Sequence, residues 1–265
     1  MANAQLEQMK HVLTIAGSDS SGGAGIQADI KTITSIGCHA STVITALTAQ
    51  NSRGVEGVHP IPASFVSKQI ESVMTDMRPD AVKVGMIFTA SAIKTVAKLM
   101  GQYRVQNLVV DPVLKSSTGS DLLEPAAVGV LRNVLLPLAS VVTPNLHEAE
   151  VLSETKIRDL EEMLAASKKI NALGPAVIIK GGHLKGQPVD LLFDGERVHH
   201  FRGARIGIPH THGTGCVFSS ALAAFLAIGH GLQKAAGKAH DFVRGAIQKG
   251  YPCGWGAGPV NPAGI

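Results

Sequence analysis

The sequence predicts an α/β domain in which a mostly parallel sheet is covered by helices on both faces. Three observations carry that expectation. Short apolar runs alternate with stretches of helical periodicity along the chain. Glycine-rich or polar turns directly follow the apolar runs, where a parallel strand must break to enter its crossover helix. The 265 residues, 45% apolar and only 17% charged, suffice for one large core without disulfide staples.

The elements follow in order. His11–Ala16 reads as a buried strand ending in the loop Gly17-Ser-Asp-Ser-Ser-Gly-Gly-Ala-Gly25. A helix follows, with Ile26, Ile30 and Ile33 on one face. Further strands are expected at Thr42–Leu47, Ala81–Val84, Asn107–Val110, Ser140–Val142 and Ala176–Ile179. Helices are expected near Ala63–Met77, Ser91–Met100, Glu124–Leu135 and Asp159–Leu173. Val189–Phe193 and Arg197–Phe201 flank Asp194-Gly195, a hairpin-turn signal. Residues 214–229 and 232–249 read as two closing helices. No repeat or linker divides the chain, so residues 1–265 are taken as one domain, with 1–9 a flexible N-terminus.

Composition excludes several classes. Disorder conflicts with the low charge and high apolar content. The 29 glycines have no period of three, which removes a collagen-like chain. Net charge is +4 with Lys and Arg scattered, so a nucleic-acid partner is not expected. The apolar stretch Val217–Gly229 is too short to span a bilayer, and no signal-peptide core is visible. Cys38, Cys216 and Cys253 are odd in number and far apart, reading as reduced thiols of a cytoplasmic protein.

In open parallel sheets, ligands bind where loops leave the carboxyl ends of strands. Gly17-Ser-Asp19, Gln50-Asn51, Lys83-Val-Gly-Met86, Asp111-Pro-Val113, Thr143-Pro-Asn145 and Lys180-Gly-Gly182 all fall at such positions. Gly22-Gly-Ala-Gly25 opens a helix and reads either as an entry turn or as an anion site. Asp29, about 60° from its helix's apolar stripe, reads either as a solvated flank or as a carboxylate at the sheet rim. His212-Gly-Thr-Gly-Cys216 is the strongest local signal. Amides of Gly213, Thr214 and Gly215 at a helix start can form an anion hole, and the dipole there should lower the proton affinity of Cys216. A buried cysteine in a Gly-capped turn is the competing reading. His210 and His212 read as exposed loop residues. Asp111, Asn145 and Glu148 offer hard oxygen ligands suited to Mg²⁺ held partly through water, or are ordinary turn and helix-start residues. Lys180 at a strand end needs a phosphate or carboxylate partner.

Together these stretches resemble the hydroxymethylpyrimidine/phosphomethylpyrimidine kinases of the ribokinase-like superfamily. The resemblance runs through Ala16–Asp29, Val43–Asn51, Lys83–Met86, Asp111–Val113, Thr143–Glu148, Lys180–His183, His212–Cys216 and the tail Gly256–Asn261, in the family's order. It implies a ribokinase-like three-layer sandwich and ATP-dependent phosphorylation of an aminopyrimidine's hydroxymethyl group, then of the monophosphate, in thiamine biosynthesis. It further implies that Gly17, Asp29 and Gln50 hold the pyrimidine while Met86 and Val113 pack on its ring. By the same resemblance Gly213, Thr214 and Gly215 cradle the transferred phosphoryl group and Cys216 accepts the hydroxyl proton. Lys180 and Asn145 would meet nucleotide phosphates, Glu148 with Asn145 would orient Mg²⁺, Asp111 is a weaker metal candidate, and a homodimer is suggested. Three departures stand out: His147 where proline is usual, Ile208-Pro-His210 for a more polar stretch, and a partial match at Lys115–Ser120. The competing readings are a pyridoxal kinase of the same superfamily, a thiol acyl-transfer enzyme using Cys216 with His212, and a non-catalytic ligand-binding relative.

Overall fold

A computed structural model describes residues 9–182, 184 and 186–265. The proposed flexible segment 1–9 lies outside these apart from Met9, and so does His183. The order of elements is β1 (His11–Asp19), α1 (Gly25–Ser35), β2 (His39–Asn51), β3 (Gly54–Pro60), α2 (Ala63–Asp76), β4 (Ala81–Val84), α3 (Ala90–Gln102) and β5 (Leu108–Val110). There follow α4 (Val128–Val130), β6 (Val141–Val142), α5 (Leu146–Ser153), α6 (Leu160–Asn171), β7 (Ala176–Ile179), β8 (Val189–Phe193), β9 (Val198–Arg202), α7 (Thr214–Ala227) and α8 (Leu232–Gln248).

Among the described residues, nine strands form one sheet in the order β3-β2-β1-β4-β5-β6-β7-β8-β9. The run from β2 to β7 is parallel, and β3, β8 and β9 extend it antiparallel at the two edges. Buried strands with apolar residues on both faces need two helical layers. One layer holds α2, α3, α5 and α6 over Leu13, Ile15, Val82, Val84 and Val110. The other holds α1, α7 and α8 over Val12, Ala81, Val109 and Val141. The expected three-layer sandwich is therefore present.

Three elements differ from expectation, the first being the eight-residue helix α5, which was not foreseen. The edge strand β3 was not foreseen, because Gly54-Val-Glu-Gly-Val-His-Pro60 lacks a buried face. The expected helix Glu124–Leu135 is broken into a 3₁₀ turn at Pro125–Ala127, α4, a π turn at Leu131–Leu135 and a second 3₁₀ turn at Leu136–Leu138. Gly129 within it and prolines at its start and end give the backbone little reason to hold one regular ladder. The Asp194-Gly195 hairpin forms as expected, with the Asp194 carboxylate accepting from the Glu196 and Arg197 amides. Among the described residues no helix is long and apolar enough to cross a membrane.

The chain crosses from β1 to β2 on one side and later returns to β4 on the other. The loops after β1 and β4 therefore diverge, which leaves a crevice at the carboxyl ends of the strands.

Candidate active site

That crevice is a cavity of about 350 Å³. It collects Gly17 after β1, Gln50 at the end of β2, Met86 after β4, Asp111 and Val113 after β5, Asn145 and Glu148 around the start of α5, Lys180 after β7, and Gly213–Cys216 at the start of α7. Twelve residues singled out from the sequence thus come together. Asp29 does not.

Asp29 is fully buried in α1, beneath the cavity floor. Its oxygens accept from Lys83 Nζ at 2.9 and 2.8 Å, from Thr14 Oγ1 at 2.6 Å and from Ser220 Oγ at 2.7 Å. A carboxylate so surrounded has no lone pair to offer a ligand, and the structure withdraws Asp29 from the pyrimidine-binding set. Helical periodicity gives a residue's direction but not its depth. The sequence did not pair Asp29 with Lys83, which follows 54 positions later.

The glycine loop after β1 is closed by its own acid. Asp19 Oδ2 accepts from the Gly23 and Ala24 amides at 3.1 and 2.8 Å, and Oδ1 from the Ser21 amide and hydroxyl. The Gly23 and Ala24 amides are thereby satisfied within the chain, which favours reading Gly22–Gly25 as an entry turn. His212 Nε2 sits 3.0 Å from Asp19 Oδ2 and 3.3 Å from Gln50 Nε2. Burial opposes ionisation of Asp19, but the bonds from His212, Ser21 and Ala24 outweigh it and hold the carboxyl at about 2. The expectation of two exposed loop histidines is therefore corrected. His212 ties the β1 loop to the start of α7, while His210 Nδ1 accepts from the Gly258 amide.

At α7, Gly213 is the N-cap in the left-handed region, with φ +84°. A Cβ there would collide with the Gly23 carbonyl, so the starts of α1 and α7 pack backbone against backbone. Among the described residues the Gly215 and Cys216 amides have no acceptor, leaving two donors at the positive end of a 14-residue helix. Lys180 Nζ donates to Asp111 Oδ1 at 2.9 Å and lies against Gly215, where an added Cβ would come within 3.2 Å of it. Asp111 is also bonded by Thr143 at 3.1 Å and Ser219 at 3.2 Å. This acid is the carboxylate partner that a strand-end lysine requires. It is correspondingly poor as a metal ligand.

Cys216 lines the cavity but is otherwise enclosed. Burial pushes its thiol up to about 11, against the pull of the Lys83 ammonium and the Gly25 amide. The expected lowering by the helix start is thus overturned. Loss of water outweighs the neighbouring cation and the Gly25 amide.

Asn145 and Glu148 cap each other: Asn145 Oδ1 accepts from the Glu148 amide at 2.9 Å and Glu148 Oε2 from the Asn145 amide at 2.7 Å. The box closes with His147 exposed between them, so that departure does not loosen the loop. Ile208-Pro-His210 does not line the cavity, whereas Lys115, Ser116 and Ser117 do. Burial raises Glu148 to about 7, reinforced by Asp111 and opposed by Lys180. The folded protein holds this proton above the pH at which the unfolded chain releases it. Stability should therefore fall as pH rises from about 4.5 to about 7. Glu148→Gln should flatten that part of a melting-temperature profile, and an unchanged slope would contradict the assignment.

Among the described residues, no three His, Cys, Asp or Glu side chains converge as a metal cage. Of the three carboxylates lining the cavity, Asp19 and Asp111 are engaged within the chain, which leaves Glu148 beside the Asn145 amide; that pair suits an ion carried largely on a nucleotide's phosphates and reached through water.

The chain matches the phosphomethylpyrimidine kinase family over residues 19–261. It belongs to that family. Hydroxymethylpyrimidine/phosphomethylpyrimidine kinase of Streptomyces coelicolor is 47% identical over 251 residues, spanning 94% of this chain and 93% of that protein. The thiamine biosynthesis bifunctional protein ThiED of Geobacter sulfurreducens is 49% identical over 252 residues, which cover 94% of this chain but 51% of that protein. The chain thus spans about half of the bifunctional relative. The solved pyridoxal kinase of Staphylococcus aureus in complex with AMP-PCP and pyridoxal is 35% identical, with a TM-score of 0.88 over 97% of this chain and 94% of that one. The fold is the ribokinase-like kinase fold, and this member of the phosphomethylpyrimidine kinase family is a kinase.

Proposed function

We propose that the chain transfers the terminal phosphoryl group of ATP to the hydroxymethyl group of 4-amino-5-hydroxymethyl-2-methylpyrimidine, and then a second one to the resulting monophosphate, in thiamine biosynthesis. The observation that carries this reading is the convergence, in one cavity, of an uncapped helix start beside a buried cation with a small apolar and amide-lined wall.

The Gly17 backbone and the Gln50 amide present donors and acceptors to the edge of an aminopyrimidine, and Met86 and Val113 flank its ring. With Asp29 withdrawn, recognition rests on neutral groups, which suits an uncharged heterocycle. Across the cavity the Gly215 and Cys216 amides meet the transferred phosphoryl oxygens as charge spreads over them. Lys180 neutralises the nucleotide phosphates, and Glu148 and Asn145 are the residues that would hold Mg²⁺. When bound, Mg²⁺ supplies charge neutralisation between adjacent phosphates. Cys216 takes the hydroxyl proton as the new O–P bond forms.

A thiol held near 11 is mostly protonated at neutral pH. kcat/KM should therefore climb about tenfold per unit between pH 7 and 9, and Cys216→Ala should abolish that slope. A flat profile for the unaltered chain would remove Cys216 from the proton step. The substrate assignment is tested by mass spectrometry of mono- and diphosphate formed from the pyrimidine, with pyridoxal in parallel. Pyridoxal phosphorylated far faster than the pyrimidine would make it a pyridoxal kinase, the second reading favoured by the Staphylococcus aureus complex. The absence of phosphorylated product from either would overturn the kinase reading. We further take the protein to act in the cytoplasm, where its three free cysteines stay reduced. A homodimer is taken from the family resemblance and is checked by light scattering.

A further inference from the structure

Asp190 on β8 and His240 on α8 take no part in the reaction as described. β7 pairs antiparallel with β8 as far as Ile179 with Leu191, a register that would next set Lys180 against Asp190. The ladder stops there. Lys180 instead donates its backbone amide to the Pro144 carbonyl at 2.9 Å and its ammonium to Asp111. Asp190 Oδ1 accepts from the Gly181 amide at 2.9 Å, so a side chain replaces a strand carbonyl where β7 leaves the sheet. Gly181 passes so close to β8 that an added Cβ would collide with the Val189 carbonyl. The other oxygen, Oδ2, accepts from His240 Nδ1 at 2.9 Å. His240 is 7% exposed, and its Nε2 is buried with no partner among the described residues. An imidazole kept only to fill space beside Phe201 would cost less free energy as an apolar ring. The polar bond it does make is to Asp190.

We propose that Asp190, steadied by His240, is a positioning residue for the nucleotide end of the cavity: by holding the Gly181 amide it fixes the turn from Lys180 to Gly182. This rests on the reading of Lys180 as the cation that meets the nucleotide phosphates. Lys180 and Gly182 line the cavity on either side of the held amide. The backbone of Lys180 is gripped at two successive amides, its own by Pro144 and the next by Asp190. The Gly182 carbonyl accepts from Arg205 at 2.9 Å, so the turn is also held from its far side. The ammonium thus starts from a fixed root, and less freedom remains to be lost when a phosphate binds. Among the described residues no lysine or arginine pairs with Asp190, so neutralising a nearby cation is not its role.

The test uses the full chain and two variants: Asp190→Asn, which keeps an oxygen for the Gly181 amide, and Asp190→Ala combined with His240→Phe. The combined variant removes carboxylate and imidazole together, so neither is left buried without its partner and the fold is kept. Melting temperature, kcat, KM for ATP and KM for the phosphoryl acceptor are followed. In the combined variant KM for ATP should rise about tenfold and kcat fall about tenfold, while KM for the acceptor stays within about twofold. Asp190→Asn should hold KM for ATP within about threefold of the unaltered chain even where its melting temperature is lower, because its NH₂ now faces His240. A purely structural role would instead move both KM values together and in step with melting temperature. That pattern, or an unchanged KM for ATP in the combined variant, would overturn the proposal. Hydrogen exchange on peptides spanning residue 181 reads the amide without turnover. It should speed up in the combined variant and not in Asp190→Asn, and equal exchange in all three chains would also overturn the proposal. Lys180→Met separates the two readings. Full turnover and an unchanged KM for ATP in Lys180→Met would sink the role of Lys180 itself, whereas a crippled Lys180→Met beside a fully active combined variant would sink only Asp190.

Discussion

Lys180→Met is expected to lower kcat/KM by about a thousandfold, the usual scale for removing one preorganised charge from an anion-stabilising site. Lys180 lies against the start of α7, where the transferred phosphoryl group would sit. Stability should drop as well. Asp111 is 2% exposed, and without Lys180 it becomes an unpaired buried charge, at a cost of about 3–5 kcal/mol. The two effects come apart in Lys180→Met combined with Asp111→Asn. That variant should recover most of the melting temperature and almost none of the turnover. Joint recovery would show that Lys180 serves the fold alone.

Gly213→Ala should be the most damaging exchange of a hydrogen for a methyl group. Left-handed backbone at φ +84° strains alanine by about 1–2 kcal/mol. Overlap of the new methyl with the Gly23 carbonyl adds about 1–3 kcal/mol. Relief requires the starts of α1 and α7 to separate, which carries the Gly215 and Cys216 amides off their mark. A shift of about 1 Å at such a site is worth about a hundredfold in kcat. Gly213→Asn discriminates the causes, because asparagine tolerates the left-handed region yet brings the same Cβ. It should be nearly as poor as alanine. An active, stable Gly213→Asn would mean that conformation matters and contact does not.

Much of this was legible in the chain. The central strands are short apolar runs buried on both faces, so their pattern survives without neighbours to explain it. The strand-end motifs were legible because a parallel sheet sends every crossover loop to the same rim. What escaped depended on depth and on partners distant in sequence. The helix α5 is only eight residues long, and its capping box marks a start without announcing a length. Asp29 and Lys83 each read as an isolated polar residue, and only the packing of α1 over the paired strands β1 and β4 brings them together. The proton affinity of Cys216 follows a local rule at a helix start, and burial reverses that rule. Lys83 did carry a signal, because a lysine within Ala81-Val-Lys-Val84 is as costly as Lys180 and asks for a partner in the same way.

Ser219 and Ser220 belong to different ion pairs but share one peptide bond. A change that rotates α7 enough to release one hydroxyl displaces the other. Mutational effects at Lys83 and Lys180, which lie on separate strands, are therefore expected to be epistatic: a double-mutant cycle between them should show coupling even though neither lysine touches the other's carboxylate. The two pairs, though on separate strands, are thereby joined mechanically through one turn of α7.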